Sequence, residues 1–103
     1  MPLAGEPDEI PEIGGIFSAP HRLTIMLILY LHKRVKFKDM QNLLQITPGN
    51  LDHHVRKLEQ ARYVKTRYVF SWRPLVAIEI TTEGAKAFRD YATSLRKLLE
   101  KVK

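Results

Sequence analysis

The first strong apolar pattern in the chain predicts a buried helix. The run Leu23–Leu31 places apolar residues on every side of a helix, which is typical of a central helix. Ser18 is an N-cap candidate, and Pro20 suits the first turn because its missing N–H needs no partner there. Val35 and Phe37 follow and predict a short extended piece.

Two more helical patterns come next. A short second helix is indicated by apolar residues at helical spacing, namely Phe37, Met40, Leu43 and Leu44. After a tight connection, Thr47 is an N-cap candidate and Pro48 a favourable first residue, so a third helix is predicted over residues 48–61. Its inward face at i, i+4 and i+7 consists of Leu51, Val55 and Leu58.

The following two runs alternate between apolar and polar residues, which is typical of strands. They are Tyr63–Phe70 and Leu75–Ile80, and the four-residue link Ser71–Pro74 between them is short enough for a hairpin. Thr82 then caps a long last helix, predicted over residues 83–103. The order of elements is therefore α-β-α-α-β-β-α.

Charge is divided unevenly along the chain. Residues 1–17 contain three prolines, three glycines and four acids without Lys or Arg, so this arm carries −4. Residues 18–103 carry +10, and a small domain with this excess of positive charge typically binds a polyanion such as nucleic acid or an anionic membrane surface. The alternative is a basic surface that is merely solvated. We expect one domain with an acidic arm over 1–17, a core over 18–82 and a C-terminal helix over 83–103.

Composition and motifs exclude several classes of protein. The chain has no cysteine, which excludes a disulfide scaffold, a cysteine zinc site and a thiol switch. It has no apolar run long enough to span a membrane, and its acidic start is unlike a signal peptide, so we expect a cytoplasmic protein. The four histidines lack metal-ligand spacing, and no catalytic arrangement is evident, so we expect no metal, no cofactor and no enzymatic activity.

Three strings of residues resemble a known family. Residues 48–61 (PGNLDHHVRKLEQA), 21–23 (HRL) and 81–84 (TTEG) resemble the recognition helix, the first-helix opening and the last-helix entry of small MarR/ArsR-like winged-helix transcriptional regulators. The resemblance covers most of residues 18–95. It implies a winged helix-turn-helix, mainly α with a small β-hairpin wing (α+β), and double-stranded DNA as partner. The helix at 48–61 would enter the major groove, and the wing at 67–75 would lie on the minor groove or backbone.

Two positions depart from the family pattern. Arg62 stands where the family usually has Gly after the third helix. A left-handed cap there would cost Arg62 about 1 kcal/mol unless the helix closes differently. Lys36 stands where Ser or Thr usually precedes the second helix, and its side chain cannot cap. Neither departure removes a DNA contact.

Polar residues on the third helix are the candidate base readers. Gly49, His53, Arg56 and Gln60 lie opposite the inward face, and Asn50, Asp52 and Lys57 flank them. We expect base contacts from Asn50, His53 and Arg56 and close approach at Gly49, since guanidinium and mixed donor–acceptor groups suit base edges. Candidate contacts to the phosphates, the backbone or the minor groove are Lys36, Lys38, Thr47 and Lys57, together with three wing residues. In the wing, Trp72 is expected at the tip, with Arg67 and Arg73 flanking it.

Structural alternatives remain open for parts of this surface. The outward face of the third helix is alternatively a solvated surface, and Trp72 alternatively packs beneath the hairpin. Asp52 is ambiguous because a carboxylate repels phosphate yet can accept from cytosine. His54, next to the inward face, is expected to be a satisfied buried histidine.

The last helix carries a stripe that indicates self-association. Its three–four alternation, widened by one neighbour, comprises Phe88, Tyr91, Leu95, Leu98, Val102 and Leu99. Packing on the domain's own first helix is the alternative for the first two. We expect a homodimer that also uses Leu27, with two recognition helices about 34–36 Å apart on an inverted-repeat operator.

The leading hypothesis is a homodimeric, sequence-specific transcriptional regulator, for which family habit favours repression. The alternatives are a winged-helix module that docks an acidic protein and a non-specific, architectural nucleic-acid binder. No polar cluster indicates a small-molecule effector.

Overall fold

The computed structural model describes residues 15–70, 72 and 75–102, and it shows a mainly helical fold with one small sheet. A 3-10 turn at Ile16–Ser18 precedes the first helix. The elements are α1 (Pro20–His32), β1 (Arg34–Lys36), α2 (Phe37–Leu44), α3 (Pro48–Gln60), β2 (Val64–Val69), β3 (Leu75–Ile80) and α4 (Thr82–Glu100). This order confirms the predicted fold class.

The sheet has three antiparallel strands in the order β1-β3-β2. The short extended piece predicted from sequence is thus an edge strand, in which Val35 lies opposite Ile78. The hairpin ends with Val69 opposite Leu75, so its connecting segment is residues 70–74 and not the four-residue link that was predicted.

The core lies between the helices and the inner face of the sheet. Its fully buried members are Ile25, Met26, Leu29, Met40, Leu51, Leu58 and Ile78. The predicted inward face of α3 is confirmed, since Val55 is also buried. Two members come from outside the predicted 18–82 core: Phe17 stacks on Tyr63 at 5.7 Å, and Phe88 meets Phe17 edge-on at 6.2 Å.

One expectation for α1 is wrong, because the helix is not buried on all sides. Leu27, Tyr30 and Leu31 are 46%, 39% and 68% exposed. A single domain of this size has too few elements to cover every face of a central helix. The uncovered side of α1 is therefore an apolar surface.

The caps of two helices differ from those predicted. Ala19, not Ser18, occupies the N-cap of α1, and no side chain caps that helix. At α4 the cap is Thr81 and not Thr82: its Oγ1 accepts from the N–H of Gly84 at 2.9 Å and donates to the carbonyl of Arg62 at 2.7 Å. Thr81 has extended dihedrals, as an N-cap requires, whereas Thr82 is already helical.

The end of α3 closes in a Schellman motif with arginine in the position that favours glycine. Arg62 has φ 66°, the N–H of Arg62 donates to Glu59 O at 2.9 Å, and the N–H of Tyr63 donates to Leu58 O at 3.0 Å. The helix therefore does not close differently around the bulky residue. Arg62 adopts the left-handed conformation, and the resulting strain lowers the stability of the folded state.

We expect Arg62→Gly to raise the free energy of unfolding by about 0.5–1 kcal/mol. Relief of the left-handed conformation gains about 1–2 kcal/mol, and the greater freedom of glycine in the unfolded chain offsets part of it. Urea denaturation followed by circular dichroism measures the change. Gln60→Gly, at a right-handed position two residues earlier, should instead lower stability; a similar loss in both variants would contradict the argument.

Candidate DNA-binding surface

Helix α3 presents a polar face over a buried apolar one. Thr47 caps it by accepting from the N–H of Asn50 at 3.1 Å, and Pro48 is its first residue. The predicted contact residues on its outward face are all exposed, namely Gly49, Asn50, His53, Arg56 and Lys57. A Cβ built at Gly49 would have no atom within 4 Å, so the helix is open to close approach there.

An ion pair occupies the outward face of α3. The Nε–H of Arg56 donates to Oδ2 of Asp52 at 2.7 Å, one helical turn earlier. This hydrogen bond and the charge of Asp52 raise the pKa of Arg56. The Asp52 carboxylate, whose role is ambiguous from the sequence, is thus paired with Arg56.

Histidines and an arginine meet where α1 contacts α3. His54 Nδ1 lies 3.3 Å from Nη1 of Arg22, and its ring is 5.5 Å from that of His21 and 5.4 Å from that of His53. Burial, followed by the charge of Arg22, lowers the pKa of His54. His54 is half-buried rather than buried as expected, because it lies at the edge of the helix contact and not beneath it.

Two predicted phosphate contacts lie at the start of α2. Lys36 ends β1 and occupies the N-cap position, where it makes no side-chain cap hydrogen bond, as expected from its lack of an acceptor. Lys38 follows in the first helical turn, and both side chains are exposed. They place two cations at this end of the helix.

The wing departs from expectation at Arg67. This residue does not flank the tip but lies within β2, opposite Ala77. Its guanidinium forms an ion pair with the buried carboxylate of Glu79, which Arg34 also approaches at 3.6 Å. The hydrogen bond from Arg67 lowers the pKa of Glu79. Arg67 therefore compensates the buried negative charge of Glu79 in the sheet. The alternating pattern of one strand does not reveal this pairing.

Exposed aromatic side chains mark the outer part of the wing. Trp72 is 88% exposed, so the alternative that it packs beneath the hairpin is wrong. Phe70 and Tyr68 are 85% and 64% exposed, and neither was predicted as a contact. The signal in the sequence that could have indicated them is the row of aromatic residues at every second position, 68, 70 and 72. Arg73 lies outside the described residues.

The apolar stripe of α4 divides into two halves. Phe88 belongs to the chain's own core, which agrees with the alternative that it packs on α1 rather than on a partner: its ring packs against Phe17 and against Tyr30 at 5.3 Å. Tyr91 is half-buried, 5.0 Å from the Phe17 ring. Beyond it, four residues of the stripe stand apart from the core cluster: Leu95, Leu98, Leu99 and Val102. Leu27 of α1 is likewise exposed.

The described residues also bear on metal binding and on membrane insertion. Within residues 15–70, 72 and 75–102, no group of three His, Cys, Asp or Glu side chains has the arrangement of a metal site. No helix in the same part of the chain is long and apolar enough to cross a membrane.

Comparison with known proteins identifies the family. Residues 21–99 match the winged helix DNA-binding domain family. The chain belongs to this family. The winged helix domain is also 33% identical over 88 residues to an uncharacterized protein of Methanocaldococcus jannaschii, covering 84% of this chain and 96% of that one. The expected resemblance to small winged-helix regulators is thereby confirmed.

Solved structures resemble the winged helix domain as well. A transcriptional regulator homologue from Pyrococcus horikoshii OT3 superposes with a TM-score of 0.82 at 37% identity, covering 84% of this chain and 87% of that one. MepR, a transcription regulator of the Staphylococcus aureus multidrug efflux pump MepA, gives 0.70 at 21% identity over 82% of this chain and 62% of its own, a likeness of fold alone. The family match and the Pyrococcus horikoshii structure together support a DNA-binding transcriptional regulator. Membership of this family also suggests that the domain is not an enzyme.

Proposed function

We propose that the protein is a homodimeric, sequence-specific repressor that binds an inverted-repeat operator in the cytoplasm. The observation that carries this proposal is the outward face of α3, which exposes an arginine, a histidine, an asparagine and a glycine above a fully packed inner face. A rigid helix with such a face fits the major groove, whose base edges offer both donors and acceptors. Occupation of the operator would exclude the transcription machinery.

Base contacts and phosphate contacts come from different elements in this proposal. Asn50, His53 and Arg56 read base edges, and Gly49 allows the backbone of α3 to approach them. Phosphates are held by Lys57 and the cap residue Thr47 of α3, together with Lys36 and Lys38 at the start of α2. These contacts fix the register of the helix in the groove.

The wing supplies the remaining contacts. Trp72 meets the minor groove or the backbone, and Arg73 is proposed for the same role from its place in the sequence. Arg67, at the base of the wing, is half-exposed and is held by Glu79, so it makes no direct contact in this proposal.

A second copy of the chain would cover the apolar residues that the single chain leaves exposed. These residues lie on the second half of α4 and on the outer side of α1, two helices that pack against each other through Tyr30 and Phe88. Burial of such a surface is the dominant favourable term in protein association. The resulting two-fold axis would repeat α3 on the DNA about 34–36 Å away.

Selection of genomic DNA fragments by the purified protein at physiological salt tests the proposal. We expect enrichment of one inverted repeat that is bound roughly 10³-fold or more tightly than scrambled duplex. With Arg56→Ala the selected sequence should relax at one position, whereas Lys57→Ala should weaken all duplexes alike and reduce the salt dependence.

Two other results would contradict the proposal. Uniform, salt-sensitive retention of all fragments would indicate a non-specific, architectural binder. No retention of any fragment would indicate a protein partner for the basic surface.

A further inference from the structure

The Asp52–Arg56 pair lies at the centre of the surface that DNA would approach. The side chains of Arg56 and Asp52 are 72% and 50% exposed, and their 2.7 Å contact joins two turns of α3 on its outward side. Tyr68 of the wing lines the same groove between α3 and the sheet. The pair is therefore accessible to a base edge in the major groove.

The hydrogen bond to Asp52 uses one edge of the guanidinium. Arginine carries five N–H donors in one plane, and the described contact engages the donor on Nε. The two terminal nitrogens keep a forward pair of N–H groups at the far end of the side chain. This pair matches the O6 and N7 acceptors of guanine, which lie side by side in the major groove.

A carboxylate at this place opposes binding unless it has a second role. It repels the phosphates that Lys57 and the other cations attract. Held by Asp52, however, Arg56 has fewer rotamers to lose when it meets a base, and its planar fork is already fixed. A gain in discrimination between bases thus offsets a loss of affinity for DNA of any sequence.

We propose that Asp52 is a positioning residue that orients Arg56 for bidentate hydrogen bonding to a guanine in each half-site. The inference rests on the proposed function and deepens it by naming the base that α3 selects. Asp52 acts through Arg56 and need not touch the DNA itself.

The test uses the selected operator with each guanine replaced in turn by adenine or by 7-deazaguanine, which lacks the N7 acceptor. At one guanine, wild type should lose about tenfold in affinity for both replacements, and Arg56→Ala should be insensitive to them. Asp52→Ala should discriminate by less than about threefold at that guanine, without loss of affinity for scrambled duplex. Asp52→Asn keeps an acceptor oxygen without the charge and should retain the guanine preference.

A matched control removes a similar pair elsewhere. Lys86 Nζ lies 2.9 Å from Asp90 Oδ2 on α4, also at i and i+4, and Asp90→Ala should keep wild-type discrimination. Full discrimination by Asp52→Ala would overturn the inference and leave the proposed function standing. Equal loss in the Asn and Ala variants would also overturn it, because charge and not orientation would then matter. A wild-type protein without sequence preference would overturn the proposed function and this inference with it.

Discussion

Gly84→Ala is expected to lower the free energy of unfolding by about 3 kcal/mol or more, a large share of the total for a domain of this size. A Cβ built at Gly84 would lie 2.1 Å from the carbonyl oxygen of Tyr63 and 2.8 Å from its carbonyl carbon. Both atoms are backbone, and the oxygen accepts the N–H of Thr81 at 3.0 Å. Relief of the clash would therefore pull the start of α4 away from the end of α3.

Urea denaturation at one fixed protein concentration measures this loss, since the stability of a dimer depends on concentration. Gly49→Ala is the matched control, because the added methyl group has no atom within 4 Å. It should leave stability unchanged or raise it by about 1 kcal/mol, the helix propensity difference between the two residues. A loss below about 1 kcal/mol for Gly84→Ala would show that α4 moves aside cheaply and would contradict the close contact.

The double variant Leu98→Lys/Leu99→Lys is expected to be monomeric and to bind the inverted repeat at least about 100-fold more weakly than wild type. Its added positive charge favours DNA, so any weakening reflects the lost second half-site rather than electrostatics. Affinity for an isolated half-site should not decrease. Analytical ultracentrifugation at micromolar concentration gives the mass, and fluorescence anisotropy gives both affinities.

Glu100→Lys provides the control for the dimer variant. It increases the charge in the same direction from an exposed position beside the stripe, and it should remain dimeric with wild-type affinity for the full operator. A double variant that stays dimeric and keeps full affinity would show that the second half of α4 is not the interface.

Most of the fold was predictable because the helix and strand signals are local. Thr47 and Pro48 mark the start of α3, and the alternation after Tyr63 marks the hairpin. The errors in the helix caps arose where two neighbouring residues compete for one role. Thr81 and Thr82 are equally good caps in isolation, and only the pairing of Thr81 with the end of α3 decides between them.

The candidate site was predictable on α3 and less so on the sheet. The outward face of a helix follows from its period, so the exposure of His53 and Arg56 required no tertiary information. Arg67 has an exposed strand position by the same logic, but its partner Glu79 lies on another strand. The partner depends on the register between β2 and β3, which the residues of either strand alone do not specify.

Hydrogen bonds at Thr81 connect the start of α4 directly to the end of α3. The N–H and the hydroxyl of Thr81 donate to the carbonyl oxygens of Tyr63 and Arg62, which lie just after α3. These two hydrogen bonds fix the start of α4 relative to the end of α3. In the proposed dimer, the crossing angle of the two α4 helices would therefore set how far apart the two α3 helices lie. Operator spacing would then change through substitutions along α4, with every base-reading residue unaltered.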